Sequence, residues 1–174
     1  MRRQIGRELI GFGTPRLLSV RELVIAVDDP RVADVYALLE RHLAFANQHT
    51  PPEHVHALDL DGLLDPAVTF FSARRGRALL GIGALKQLDQ VHGELKSMHT
   101  AEAARQQGVG RGMVDHLLDI ARQRGYRRVS LETGTTDAFR PARSLYQRAG
   151  FTSCGPFGDY SPSPNNTFMT LTLG

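Results

Sequence analysis

Between Arg105 and Gly112 the chain reads Arg-Gln-Gln-Gly-Val-Gly-Arg-Gly, a spacing suited to gripping an anion. Glycine lets a backbone N–H come within hydrogen-bonding distance of a phosphate oxygen that a Cβ would keep away. A helix that starts at about Gly108 adds several unpaired amides and roughly half a positive charge at that end. Arg105 and Arg111 can add whole charges, so the ligand this segment suits is a diphosphate or a group like it. A P-loop would need Gly-Lys-Ser/Thr at the end of the loop, and none is present. A dinucleotide fingerprint would need a third glycine where Met113 stands, and a tighter loop than one in which Gly108 stands eight residues after Thr100. Glu132, placed about where a ribose-binding acid would sit, is the one point favouring an NAD-binding Rossmann protein. That reading stays open, as does a glycine-rich helix start with no ligand.

Other reactive residue types carry less. His54 and His56 could share a strand face, but no third ligand has convincing spacing, so no metal site is expected. His99 is read as a polar neighbour of the glycine-rich segment. Cys154 has no His-Asp arrangement to activate it and is read as a packed thiol. Phe157, Asp159 and Tyr160 lie in a Gly/Pro-rich loop that suits either a cover over a substrate or plain turn chemistry.

These groups need elements to position them. The spacing predicts a first strand over Val20–Val27, stopped by Asp28-Asp29-Pro30. An Asp cap and a proline in the first turn then open a helix carrying Val32, Val35, Leu39 and Leu43. A short helix is expected over His56–Leu64. Strands follow over Val68–Ala73 and Ala78–Leu88, joined at Arg74–Arg77, and over Glu94–Thr100. An amphipathic helix from Val109 carries Val109, Met113, Leu117 and Ala121 on one stripe, with Val114 and Leu118 beside it, and Gly125 ends it. Arg128–Glu132 is a strand, Pro141–Ala149 a helix ended by Gly150, and Phe168–Leu173 the closing strand of a final pair. The order β, α, α, β, β, β, α, β, α, β, β makes an α/β fold, a mixed sheet with helices on its faces.

The bulk numbers set the class. With 174 residues, 41% hydrophobic and 22% charged, the chain fits one globular domain and not a disordered one. Residues 1–18 read as an N-terminal extension and 19–174 as the domain. No apolar run approaches the roughly 18 residues that span a bilayer, and Met1-Arg2-Arg3 is not followed by a signal-type apolar stretch. One cysteine makes no internal disulfide, which fits the reducing cytoplasm. The net charge of +3 does not demand nucleic acid or membrane, and no aromatic ladder interleaves the arginines between Arg105 and Arg128.

Arg105-x-x-Gly108-x-Gly110, after a strand and opening a helix, resembles the acetyl-CoA signature of the GNAT superfamily of N-acyltransferases. Leu145-Tyr146-x-x-x-Gly150-Phe151 resembles its second signature. Glu94-Leu95-Lys96-Ser97-Met98, Glu132-Thr133-Gly134 and Gly155-Pro156-Phe157-Gly158-Asp159-Tyr160 resemble a bacterial subgroup of small, mostly uncharacterised members. The resemblance runs from about Val20 to Leu173. Two positions depart from the common pattern: Gln106 stands where glycine is frequent, and Phe139, seven residues before Tyr146, stands where many members carry an Asn that contacts the pantetheine arm or cofactor.

The resemblance implies the GNAT fold, with a mixed central sheet of about seven strands and helices on both faces, and an acyltransferase that uses acetyl-CoA as co-substrate. Transfer would run directly to an amine in a ternary complex. The strand before the signature would bulge and splay from its neighbour, and Met98, His99 and Thr100 would offer main-chain hydrogen bonds to pantetheine, one of them to the thioester oxygen. Arg105, Gln106, Gln107, Gly108, Val109, Gly110, Arg111 and Gly112 would hold the cofactor, its pyrophosphate between Gln107 and Gly112. Glu94, fourteen residues before Gly108, is the first candidate base and Glu132 the second, the alternative for either being a carboxylate paired to a nearby cation. Tyr146 would meet the departing thiolate, beside the cofactor. The acceptor is a small-molecule or peptide amine, and a homodimer is in keeping with small members. The rival function is a non-catalytic acyl-CoA-binding sensor or partner module.

Overall fold

The stripe of apolar residues in the third helix faces the sheet: Val109, Met113, Val114, Leu117, Leu118 and Ala121 are all buried. The structure, a computed structural model, describes residues 22–174. The extension expected over 1–18 and the first residues of the strand expected over Val20–Val27 lie outside them.

The strands are β1 (Val24–Val27), β2 (Val68–Arg75), β3 (Ala78–Gln87), β4 (His92–Thr100), β5 (Arg128–Gly134), β6 (Thr152–Cys154) and β7 (Asn166–Thr172). The helices are α1 (Ala33–His49), α2 (Leu60–Leu63), α3 (Val109–Gln123) and α4 (Arg140–Arg148), with single 3-10 turns at Glu102–Ala104 and Asp137–Phe139 among the connections. The seven strands form one mixed sheet in the order β1-β2-β3-β4-β5-β7-β6, antiparallel throughout except for the parallel β4–β5 pair. Helices cover both faces.

Because side chains alternate along a strand, neighbouring residues feed opposite cores. Phe71, Leu95, Val129 and Leu131 join α3 and Tyr146 of α4 in one cluster, while Phe70, Ile82 and Ala84 join Val35, Leu38 and Leu39 of α1 in the other. Leu117→Ala in the first cluster would cost about 2–5 kcal/mol.

Two boundaries differ from expectation for local reasons. Asp29 caps a turn and not the helix: its carboxylate accepts from Arg31 N at 2.9 Å and its carbonyl from Val32 N at 3.1 Å, so α1 begins only at Ala33. The helix expected over His56–Leu64 shrinks to Leu60–Leu63, capped by the Asp59 side chain accepting from Gly62 N at 2.9 Å. Residues 55–58 are thereby left outside any helix or strand, and 55–57 line the cavity of the candidate site. Both helix ends assigned to glycine hold. Gly125 (φ 76°) and Gly150 (φ 99°) take left-handed conformations, and Tyr126 N and Phe151 N bond back to the Ala121 and Tyr146 carbonyls.

Candidate active site

Strands β4 and β5 part company halfway along. Their parallel pairing runs from His92↔Arg128 to Leu95↔Leu131 and then stops, although both strands continue. The cause is a bulge in β4. Ser97 holds a φ of 53°, and the register against β3 slips between Ile82↔His99 and Ala84↔Lys96. An extra residue turns and twists the strand away from its neighbour. In a non-glycine residue this backbone costs roughly 1–2 kcal/mol. Beyond the bulge, Ala101 N donates to Leu80 O at 2.8 Å. Since strand residues turn their N–H and C=O alternately to the two sides, the main chains of Met98 and Thr100 face the slot and that of His99 faces β3. The ring of His99 lines the slot cavity instead.

The slot opens into a cavity of about 530 Å³. At one mouth stands the start of α3. Gly108 caps it with φ 80°, a left-handed conformation, and a Cβ there would meet nothing within 4 Å, so backbone geometry and not space selects this glycine. Gly110 is selected by packing, since a Cβ would lie 3.1 Å from Leu145 Cδ2 of α4. The first turn has no side-chain cap, and no backbone acceptor among the described residues meets the amides of Val109, Gly110 and Arg111. Arg105 lines this mouth and makes no ion pair among the described residues. Arg111 is held by Asp115 at 2.9 Å and by the Arg148 carbonyl at 3.1 Å. Gln106, at φ 60°, lines the mouth as well. Gln107 and Gly112 do not: the Gln107 amide donates to Ala103 O at 2.8 Å, and a Cβ on Gly112 would sit 3.0 Å from Leu23. Uncapped amides, an unpaired guanidinium and an open strand edge suit the diphosphate and amide-rich arm of a coenzyme A thioester.

Tyr146 comes to the cavity from the α3/α4 side. The Gly150 helix end bonds to its carbonyl, Phe151 packs edge-on to its ring at 5.9 Å, and its hydroxyl has no hydrogen-bond partner among the described residues. Burial, and after it the charge of Glu132, holds this phenol well above the usual range. Glu132 lines the cavity from the other face, since it alternates with Leu131 along β5. Burial pushes its carboxyl above the usual carboxylate range, opposed by a hydrogen bond from Asn166 Nδ2.

Glu94 lies behind this surface, 2% exposed and outside the cavity wall. Its Oε1 accepts from the Tyr160 hydroxyl at 2.5 Å and stands 3.4 Å from Lys96 Nζ. Lys96 donates in turn to Tyr160 Oη at 2.7 Å and to His56 O at 2.9 Å, pinning the loop after β6 and the segment after α1 onto β4. Glu94 is thus paired, to a lysine and a tyrosine. Of the two acids singled out in the sequence, Glu132 reaches the cavity and Glu94 buttresses it. Neither Lys96 nor Asn166 stood out as a working residue, because their significance depends on the β4 bulge and on the β5–β7 register. His54 and His56 line the cavity with no metal cluster among the described residues. Cys154 faces a different depression, with Arg128 and His92. Phe139, where the resemblance leads one to look for Asn, packs against Gly134: a Cβ on Gly134 would meet its ring at 2.3 Å.

The chain is similar to known proteins in both sequence and fold. The sequence model described as the acetyltransferase (GNAT) family matches residues 32–151. YsnE of Bacillus subtilis (strain 168) and YedL of Escherichia coli (strain K12), both described as uncharacterised N-acetyltransferases, are each 46% identical over 149 residues. The match spans 86% of this chain and 99% and 94% of theirs. An IAA acetyltransferase of Azospirillum brasilense is 36% identical over 152 residues, covering 87% of this chain and 98% of its own. A Bacillus subtilis acetyltransferase in complex with CoA superposes with a TM-score of 0.66 at 19% identity, over 87% of this chain and 99% of that one. A GNAT family acetyltransferase of Elizabethkingia anophelis with acetyl-CoA bound gives 0.64 at 20%, over 87% and 98%. No described helix is long and apolar enough to cross a membrane. A strand-splayed slot, an uncapped glycine-opened helix and a family match over most of the chain lead to one assignment: this chain belongs to the acetyltransferase (GNAT) family.

Proposed function

We propose that the chain moves an acetyl group from acetyl-CoA directly to an amine within a ternary complex. The observation that supports this most is the meeting of Glu132 and Tyr146 at one cavity from opposite faces of the sheet, through the gap between β4 and β5. One side holds the phosphate grip and the phenol, the other the carboxylate. The bound coenzyme supplies an activated acyl carbon and a thiolate leaving group. Everything else falls to the protein.

An alkylammonium with a pKa of about 10.4 is neutral roughly once in a few thousand at pH 7, a deficit of about 4–5 kcal/mol. A positioned base contributes about 10²–10⁴-fold. Glu132 takes that proton in this reading. Its position on the cavity wall favours it over Glu94, which lies outside that wall, and burial raises its own pKa, which suits a proton acceptor. Main-chain N–H groups beyond the bulge, at Met98 and Thr100, are turned toward the slot and suit the oxygen on which charge develops. Tyr146 donates a hydrogen bond toward the departing sulfur. With its pKa held so high, full loss of its proton is uphill, so it stabilises the thiolate mainly as a donor. Val109, Gly110 and Arg111 amides, with Arg105, hold the pyrophosphate. The lone cysteine supports a cytoplasmic location.

Two-substrate initial-rate kinetics test the reading. Intersecting patterns are expected, whereas a trapped acetyl-enzyme overturns direct transfer. Tyr146→Phe and Glu132→Gln should lower kcat while CoA affinity persists. Tight CoA binding without turnover of any amine would favour the sensor instead.

A further inference from the structure

The wall of the cavity facing α1 is built of rings. His42 and Phe45 come from α1, His99 from β4 and Phe139 from the turn after β5, and all four line the cavity. His42 and His99 meet edge to face at 5.5 Å between centroids, as do Phe45 and Phe139 at 5.2 Å, while Phe45 and His99 are tilted at 6.4 Å. Glu132 belongs to the same side of the sheet, because Leu131 packs with α3 on the other. The aromatic wall is therefore on the acceptor's side of the slot, away from Tyr146 and the α3 terminus.

Charge narrows the choice further. Glu132 is the sole carboxylate on the cavity wall among the described residues, against Lys96, Arg105, Arg111 and Arg148. Arg105 and Arg111 stand at the coenzyme's end of the cavity with Arg148 beside Arg111, so on the acceptor's side several cationic centres would find a single anion, Glu132, and the Lys96 ammonium. Lys96 does not call for a carboxylate on the acceptor either, since it donates to His56 O and Tyr160 Oη and its charge is paired with Glu94 at 3.4 Å. From these observations, and resting on the acetyl-transfer reading above, we infer that the acceptor is a monoamine built on a planar aromatic ring, its nitrogen at Glu132 and its ring against Phe45, Phe139 and His99. Burial depresses both His42 and His99 to a pKa of about 4, so the wall is neutral at physiological pH and does not repel the incoming ammonium. Neutral rings favour edge-to-face contact with an aromatic guest, and attract a cation over their faces.

The purified full-length chain, saturated with acetyl-CoA, is assayed for CoA release with 2-phenylethylamine, 2-cyclohexylethylamine, spermidine, L-phenylalanine and a lysine peptide. Two or three ring contacts should give 2-phenylethylamine a kcat/KM about fivefold or more above its saturated counterpart, and a wider margin over spermidine. Phe45→Leu and, separately, Phe139→Leu should erase most of that preference while thermal stabilisation by CoA is kept; two positions guard against one variant failing to fold. Equal rates for the saturated and aromatic amines overturn the inference. So does a preference for spermidine, the lysine peptide or L-phenylalanine, or turnover of none of the panel, while acetyl-CoA still binds. Failure to bind acetyl-CoA at all would remove the underlying acetyl-transfer reading, a result distinct from any of these.

Discussion

Asn166 on β7 donates through Nδ2 to the Glu132 carboxylate on β5, two residues along the ladder from its direct partner, Gly134. The same amide nitrogen donates to His54 O at 3.1 Å, so one side chain ties the carboxylate to the segment after α1. This bond opposes the burial that raises the Glu132 pKa. Asn166→Ala should therefore push the acid limb of the kcat/KM profile to higher pH. Glu132→Gln should abolish that limb and lower kcat by about 10²–10⁴-fold. An unmoved limb in Asn166→Ala would remove Glu132 from the role of base.

Glu94 and Lys96 form a buried pair, 2% and 8% exposed, bridged by Tyr160. Removing one partner of such a pair leaves a buried charge and costs about 3–5 kcal/mol. Glu94→Gln should lower the melting temperature strongly and yet, measured where it remains folded, keep the acid limb. Loss of that limb in Glu94→Gln would make Glu94 the base.

His42 is half-buried with its ring edge-on to His99, and desolvation, ahead of the neighbouring His99 and Lys96, depresses it from 6.5 to about 4. The unfolded chain protonates this imidazole near pH 6.5 while the folded chain resists until about 4. Stability from this group is thus complete above pH 6.5 and lost as pH falls through that window, up to about 3 kcal/mol. His42→Phe keeps an edge-on ring and should remove part of the pH dependence of melting between pH 6.5 and 4, with His99 supplying a further part. An unchanged pH dependence would show that other groups govern it.

Arg105 is exposed at the cavity mouth without an ion-pair partner among the described residues, whereas Arg111 is occupied by Asp115. Arg105→Ala should weaken CoA about tenfold and reduce the salt dependence of binding, as expected for a lost charge-assisted bond. Arg111→Ala should cost less. The reverse order, read by calorimetry, would mean that Arg111 exchanges Asp115 for phosphate.

What the amino-acid order determined by itself was local. Gly108, Gly125 and Gly150 sit where left-handed backbone begins or ends a helix, and the α3 stripe repeats at the helical period, so the glycine-opened helix and its neighbours were legible from spacing alone. The element order followed from apolar periods and turn residues, and the bulging, splayed strand from the two GNAT-like signatures. What only the tertiary structure decided was which side chains share a space. Glu94 and Glu132 look alike in the sequence, yet the β4 twist and the β5–β7 register bury one against Lys96 and Tyr160 and turn the other to the cavity. The rings of His42, Phe45, His99 and Phe139 come from segments up to about a hundred residues apart and form a wall only when α1 packs on the sheet. Helix and turn geometry is set by near neighbours; a carboxylate's basicity and a cavity's lining are set by contacts that exist only after the chain has closed on itself.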